Sequence, residues 1–510
     1  MSDTEWKLEG IDLAGLDRLA QLIALFLRPG DFVGLEGPLG AGKTTFARSL
    51  ILRLGSTEEV QSPTFGLVQS YATPRFPVHH CDFYRLGAGE AEELGLEDAL
   101  ADGVVLAEWP ERAEQDLADD RLTIGFHETG DADTRDLVLT GRGGWALRLA
   151  RLKDLAAFLE RTDFATAQLE FVQGDASARS YARAILYSGE SAILMNAPAM
   201  PDGPPIADGK PYSQLVHLAE NVIPFVAVGE ALRERGLSAP ELYDGDLAQG
   251  FLLLEDLGDR VFTPAYSRGD SQAALMREAV DVLLKLGQTP PSGPLPIPGG
   301  PPYTLPHFDA EAMLIEASLL IDWLWRAVHG REPEAAEREA YLALWRPLLE
   351  QIAPEDPGWV LRDYHSPNLI WLEDRTGVQR VGLLDYQDAM IGPLAYDLAS
   401  LLQDARVDVP AALEAELLDY YCARRDDAER SFATEDFLRG YAVLGAQRAS
   451  KILGIFARLA ARDGKRRYLD HMPRVARYLE RNLHHPALSE LRSWYKDALP
   501  EADRLPPPGL

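Results

Sequence analysis

"GPLGAGKTT", Gly37 to Thr45, decides the first part of the fold. Gly37, Gly42, Lys43 and Thr44 satisfy the spacing G-x4-G-K-[ST]. Such a loop wraps phosphates with backbone N–H groups at the positive end of the following helix. A strand must lead into it and a helix must leave it, and the sequence supplies both. "FVGLEG" reads as a buried strand, and "FARSLILRLG" as a helix closed by Gly55. Upstream, Leu13, Leu16, Leu19, Ala20, Ile23 and Leu27 recur at helical spacing. Downstream, "GLVQSY", "FPVHHCDF", "GVVLAEW" and "RLTIGF" read as strands. Strands alternating with helices predict an α/β P-loop NTPase domain.

The loop implies its chemistry. Gly37, Gly40, Gly42, Lys43, Thr44 and Thr45 are the expected contacts of ATP, with Lys43 at the terminal phosphates and the Thr44 hydroxyl on Mg²⁺. Hydrolysis also needs an acid near the metal or the attacking water. Glu108, ending "VVLA", and Asp82, ending "VHHC", are the candidates. His79, His80 and Cys81 are adjacent on a strand and alternate faces, so they converge poorly on one metal ion.

"GPLGAGKTT", "SPTF" (Ser62 to Phe65), "HHCDFYRL" (His79 to Leu86) and "EWPER" (Glu108 to Arg112), in that order, resemble the TsaE family. That family is the small ATPase subunit of the bacterial machinery that places threonylcarbamoyl on a tRNA adenosine. The resemblance implies an ATPase that drives TsaB/TsaD-like partners and links to tRNA only through them. It implies that Thr44 and Glu108 serve the metal and the attacking water, that Asp82 is a further acid, and that "SPTF" is a switch-like loop.

A second start follows near residue 165: "EFVQGDASARSYARAILYSGESAILMNAP" reads strand, turn, strand, turn, strand, and "GFLLLEDLGD" is a further buried strand. In "LRDYHSPNLIWL", Asp363 is placed to accept the proton of an attacking hydroxyl, and Asn368 to hold Mg²⁺. "VGLLDYQDA" delivers Asp385 to the other metal position. Asp397 in "GPLAYDLASLL" is expected to brace the loop. The third-strand lysine of protein kinases is missing: Met195 and Asn196 stand about where it belongs, and Arg179 or Arg183 could replace it. The Pro- and Gly-rich run Thr289 to Pro306 reads as a loop or lid.

This half resembles the aminoglycoside-phosphotransferase superfamily and, more narrowly, the AmgK family of anomeric kinases for N-acetylmuramate and N-acetylglucosamine. "GDASARSYAR", "LMNAP", "GFLLLEDLGD", "RDYHSPNL", "LLDYQDAMIGPLAYDLASLL" and "AQRASKILGIFARLAARDGK" carry the likeness. Such proteins also lack the third-strand lysine, and usually have Asp where this chain has Asn196. The resemblance implies that Gly174, Ser177 and Arg179 lie at the triphosphate of ATP and Glu255 at the adenine hinge. It implies an amino-sugar substrate over Asp363. Glu316 is a candidate for the sugar hydroxyls, and Arg448 with Lys451 for a substrate carboxylate. The alternatives are a nucleotide-binding regulatory pseudokinase, or a kinase for another small alcohol such as an aminoglycoside or choline.

The organisation expected is therefore a P-loop domain over 1–150, a linker over 151–164, and an α+β two-lobed protein-kinase-like domain over 165–510, its small lobe ending about 260. Lys+Arg 50 against Asp+Glu 80 gives a net charge of −30, which argues against direct nucleic-acid binding. Cys81 and Cys422 are too far apart in sequence for a metal motif and suit a reducing compartment. With no apolar run of membrane-spanning length and no signal-like start in "MSDTEWKLEG", the expectation is a cytoplasmic protein off the membrane.

Overall fold

The computed structural model describes residues 3–63, 67–85, 94–117, 119–172, 179–200, 203–207, 209–353, 357–429, 432–507 and 510. The chain forms two compact units, one of residues 1–198 with 243–256, the other of 199–242 with 257–510.

The first unit holds a seven-stranded sheet. Its strands are β1 (Thr4–Ile11), β2 (Phe32–Glu36), β3 (Val68–Tyr71), β4 (Val78–Asp82), β5 (Val104–Glu108), β6 (Arg121–Glu128) and β7 (Arg135–Arg142), in spatial order β1-β7-β6-β2-β5-β4-β3. The central strands β6, β2, β5 and β4 pair in parallel. That arrangement suits strands buried on both faces, and β5 is buried throughout. Helix α1 (Leu13–Phe26) starts at Asp12, whose side chain accepts from the Gly15 N–H at 2.8 Å. Helix α2 (Lys43–Arg53) follows the P-loop directly, and α3 (Leu96–Asp102) precedes β5.

Two strands escaped the sequence reading. β7 lies in the turn-rich stretch before residue 144, and β1 lies at the start of the chain; both pair antiparallel at one edge of the sheet. In β7 the buried Leu137 and Leu139 alternate with the less buried Asp136, Val138 and Thr140, a period-2 burial that the apolar Val138 and the flanking Asp, Arg and Gly mask in the sequence.

Helix α4 (Gly144–Glu160) runs through the region expected to be the domain boundary and linker. Beyond it, β8 (Gln168–Val172), β9 (Ser180–Ile185) and β10 (Ser191–Asn196) join strands Phe251–Glu255 and Leu242–Asp246 in a five-stranded sheet. One face of this sheet carries Ala182, Leu194 and Leu253, which belong to the same buried cluster as Leu19 of α1 and Leu152 of α4. Phe158 of α4 stacks on Phe251 with ring centroids 5.7 Å apart. The Arg18 guanidinium donates to the Ala167 carbonyl at 2.6 Å, and the Leu169 N–H donates to Gln21 Oε1 at 3.1 Å. The P-loop sheet and the five-stranded sheet thus share one apolar core.

The second unit is mostly helical. Helix Ala310–Leu319 continues into a π-turn, Leu320–Leu324. The 30-residue helix Thr434–Asp463 crosses it at Gly454, where a Cβ would lie 2.3 Å from the Leu319 carbonyl carbon. Only glycine permits that approach, which accompanies the contact of Lys451, one turn earlier, with Glu316. Within Thr289 to Pro306, Leu295–Ile297 and Gly300–Tyr303 pair as a short ribbon rather than an unstructured loop. Among the described residues, no helix is long and apolar enough to cross a membrane.

Candidate functional site

The P-loop stands between β2 and α2. Gly37, Gly40 and Gly42 have φ of 138°, 81° and 107°, conformations that favour glycine, and a Cβ at Gly37 would meet the Phe126 carbonyl oxygen at 2.7 Å. The Lys43 ammonium donates to the carbonyls of Gly37 and Pro38 at 2.7 and 2.9 Å and lies 3.8 Å from the centre of the Trp109 ring. Burial lowers its pKa, opposed by the negative charge of Glu108, Glu111 and Asp82. Thr44 Oγ1 donates to Glu108 Oε1 at 2.7 Å, and Thr45 is exposed one residue on.

Asp82 and Glu108 end neighbouring parallel strands in register with each other, and both are buried. The Asp82 carboxylate accepts from the Tyr84 N–H at 2.9 Å. Lys43, Thr44, Asp82, Glu108 and Trp109 line one cavity of about 290 Å³. Of the "SPTF" loop, Ser62 lines that cavity, while Thr64 and Phe65 lie outside the described residues. His80 was not foreseen as part of this site. Fully buried, its Nε2 is 3.1 Å from Glu108 Oε1, while Nδ1 has no partner among the described residues. The signal was present: on a strand, His80 and Asp82 share a face. The site's metal-type donors are a hydroxyl and carboxylates, an oxygen set suited to Mg²⁺.

The second site lies on the loop between strands Pro357–Val360 and Leu369–Trp371. Arg362 has φ of +71°, and Asp397 holds this bend by accepting from the N–H groups of Leu361 and Arg362 at 2.5 and 2.9 Å. The expected brace is therefore seen directly. Burial pushes the Asp397 pKa up to about 7. Asn368 Nδ2 donates to the Asp363 carbonyl at 2.9 Å, which leaves the amide oxygen as its ligand-type atom. Asp385, at φ +57°, accepts from Gln387 Nε2 at 2.8 Å. The half-buried Asp363 carboxylate has no hydrogen-bond donor among the described residues. Burial alone would raise its pKa, but Lys451, then His365, Arg362 and Arg448, hold it below the ordinary value.

Glu316 does not face solvent. It is fully buried, bonded to Arg362, to Lys451 Nζ at 2.8 Å and to Gln447 Nε2 at 3.2 Å. Lys451 is thereby committed as well, so the sugar-hydroxyl and carboxylate roles considered for these two give way to an internal ion cluster beneath Asp363.

Of the residues expected at the second nucleotide, Gly174 and Ser177 lie outside the described residues. Arg179 immediately precedes β9, and Glu255 ends its strand opposite Ala192. Arg183 lies opposite Ile193, on the sheet face away from the shared core, and pairs with Asp256 at 2.6 Å. Asn196 instead faces α4, where its Oδ1 accepts from Arg151 Nε and a terminal guanidinium nitrogen at 3.0 and 2.8 Å.

Residues 12–137 match the family described as threonylcarbamoyl adenosine biosynthesis protein TsaE, and residues 129–433 match the phosphotransferase enzyme family. The N-acetylmuramate/N-acetylglucosamine kinase of Caulobacter vibrioides is 37% identical over 359 residues, covering 68% of this chain and 97% of that protein. That of Neisseria meningitidis is 32% identical over 318 residues, covering 61% and 85%. The tRNA threonylcarbamoyladenosine biosynthesis protein TsaE of Bacillus subtilis is 42% identical over 126 residues, covering 24% and 78%. An α/β P-loop unit followed by a kinase-like phosphotransferase fold is thus the architecture expected from the sequence. The chain belongs to the TsaE family through its first part and to the phosphotransferase enzyme family through its larger part.

Proposed function

We propose that this chain is bifunctional: an ATPase serving tRNA threonylcarbamoyladenosine formation, joined to an ATP-dependent kinase for the anomeric hydroxyl of N-acetylmuramate and N-acetylglucosamine. Family membership supports both halves. The observation that carries the kinase is the Asp363 carboxylate, kept ionised by Lys451 and free of donors among the described residues, on a loop that also presents Asn368. A binding module has no need of a carboxylate held in that state.

In the kinase, Asp363 accepts the proton from the sugar hydroxyl, and Asp397 fixes the loop that aims it. Asn368 and Asp385 would hold Mg²⁺; Arg179, Gly174 and Ser177 would receive the triphosphate, and Glu255 would lie at the adenine. Arg183, on the outward sheet face, is the candidate stand-in for the missing lysine.

In the ATPase, Gly37, Gly40, Gly42, Lys43 and Thr45 would cradle ATP, Thr44 and Glu108 would hold Mg²⁺, and Asp82 would be a further acid. In both sites the bound ion supplies charge neutralisation on the phosphates. Glu108 orients the attacking water, and His80 holds Glu108. TsaB/TsaD-like subunits are the partners, tRNA is reached through them, and the chain works in the cytoplasm.

Phosphate transfer from ATP to N-acetylmuramate, N-acetylglucosamine and choline, with products identified by phosphorus NMR, tests the kinase. An anomeric sugar phosphate is expected. Phosphocholine as the main product would replace the substrate class, and ATP binding without any product would favour a regulatory module.

A further inference from the structure

The helix Thr434–Asp463 turns three polar side chains toward Asp363's loop, and they are not used alike. Gln447 and Lys451 are bound to Glu316. Arg448, one residue after Gln447, is 6% exposed, yet its guanidinium finds a single acceptor among the described residues, the Gln403 carbonyl at 3.5 Å. That is a long bond for a group with five donors.

Apart from Asp363, which is left for the acceptor hydroxyl, the carboxylates around it are spoken for. Glu316 holds Arg362 and Lys451. Asp397 receives two backbone N–H groups, and Asp404 receives those of Ser366, Arg406 and Val407. Beside Arg448, the buried His365 leaves Nδ1 without a partner. Arg448 is near enough to act electrostatically on both His365 and Asp363, so these under-used polar groups neighbour the Asp363 carboxylate. A buried guanidinium with no carboxylate hydrogen-bonded to it is unfavourable, and a ligand carboxylate would complete it.

We propose that Arg448 binds a carboxylate carried by the sugar acceptor and is the residue by which this site tells N-acetylmuramate from N-acetylglucosamine. The two sugars differ by the lactyl group on O3, whose carboxylate only the first possesses. A guanidinium fork matches a carboxylate with two parallel bonds. The inference rests on the kinase reading above, because it takes the acceptor to sit over Asp363.

The test compares kcat/KM for N-acetylmuramate, its neutral lactyl amide and N-acetylglucosamine, in the full chain and in Arg448→Gln. The wild type should favour the acid over the amide by roughly 10- to 100-fold, the scale of a lost charged hydrogen bond. In Arg448→Gln, the ratio of N-acetylmuramate to N-acetylglucosamine should fall by a similar factor, mostly through KM. Equal use of acid and amide by the wild type would overturn the proposal, even if the variant fails to fold. So would an unchanged sugar ratio in the variant, which would assign Arg448 to the phosphate or to packing. A wild type that phosphorylates neither sugar would sink the kinase reading itself, a separate result that takes this one with it.

Discussion

The Arg151 guanidinium on α4 grips the Asn196 side-chain oxygen on β10 with hydrogen bonds of 3.0 and 2.8 Å. One residue follows the P-loop sheet; the other stands in the kinase sheet, near where protein kinases keep their lysine. Arg151 also lies over the Phe251 ring at 3.8 Å, on the seam where Phe158 stacks. The two enzymes are thus fused through packing as well as through the chain.

That seam predicts joint unfolding. Phe158→Ala should cost about 3–5 kcal/mol, the usual penalty for emptying a buried aromatic site. Hydrogen exchange should then show β2 and β5 losing protection together with β9 and β10. Loss confined to one of the two sheets would contradict a shared core.

At the first site, Glu108 joins Thr44 and His80, with 2.7 and 3.1 Å separations. Glu108→Gln should abolish ATP turnover while nucleotide binding persists. His80→Ala should lower kcat by roughly 10- to 100-fold, the effect of removing a residue that orients a metal-site ligand. His80→Gln, which keeps a donor, should recover part of it. Equal losses in kcat and nucleotide affinity would instead make His80 a packing residue.

The Glu316 cluster predicts an acid limb. Burial raises the Glu316 pKa, but Arg362 and Lys451 outweigh it, so the folded value lies below the ordinary 4.5. A depressed carboxylate stabilises the fold above its unfolded pKa and loses that contribution as pH falls through the folded value. Glu316→Gln should therefore cost about 3–5 kcal/mol at neutral pH, where it leaves buried cations unpaired. Below about pH 4.5, urea unfolding should show the gap to wild type narrowing. A gap independent of pH would place the effect in packing alone.

Both nucleotide motifs were legible because they are local: Gly37 to Thr44 and Asp363 to Asn368 each lie within a few residues. Glu108 and Asp82 could be read too, since each is the last residue of its strand. What sequence could not show was the third dimension of polar pairing. Glu316 and Lys451 are 135 positions apart in the chain, and no periodicity reveals that one neutralises the other. β7 escaped because two buried leucines among charges carry a weak signal. The shared core was invisible for a related reason: alternation marks a sheet face as apolar without saying what covers it.

Two separate active sites are thus expected to work in one chain. The most direct measurement is phosphorylation of N-acetylmuramate and hydrolysis of ATP, followed side by side in the wild type, Lys43→Ala and Asp363→Asn. Lys43→Ala should lose hydrolysis and keep sugar phosphate formation, and Asp363→Asn should do the reverse. Loss of both reactions in either folded variant, or sugar phosphate still formed by Asp363→Asn, would contradict the account.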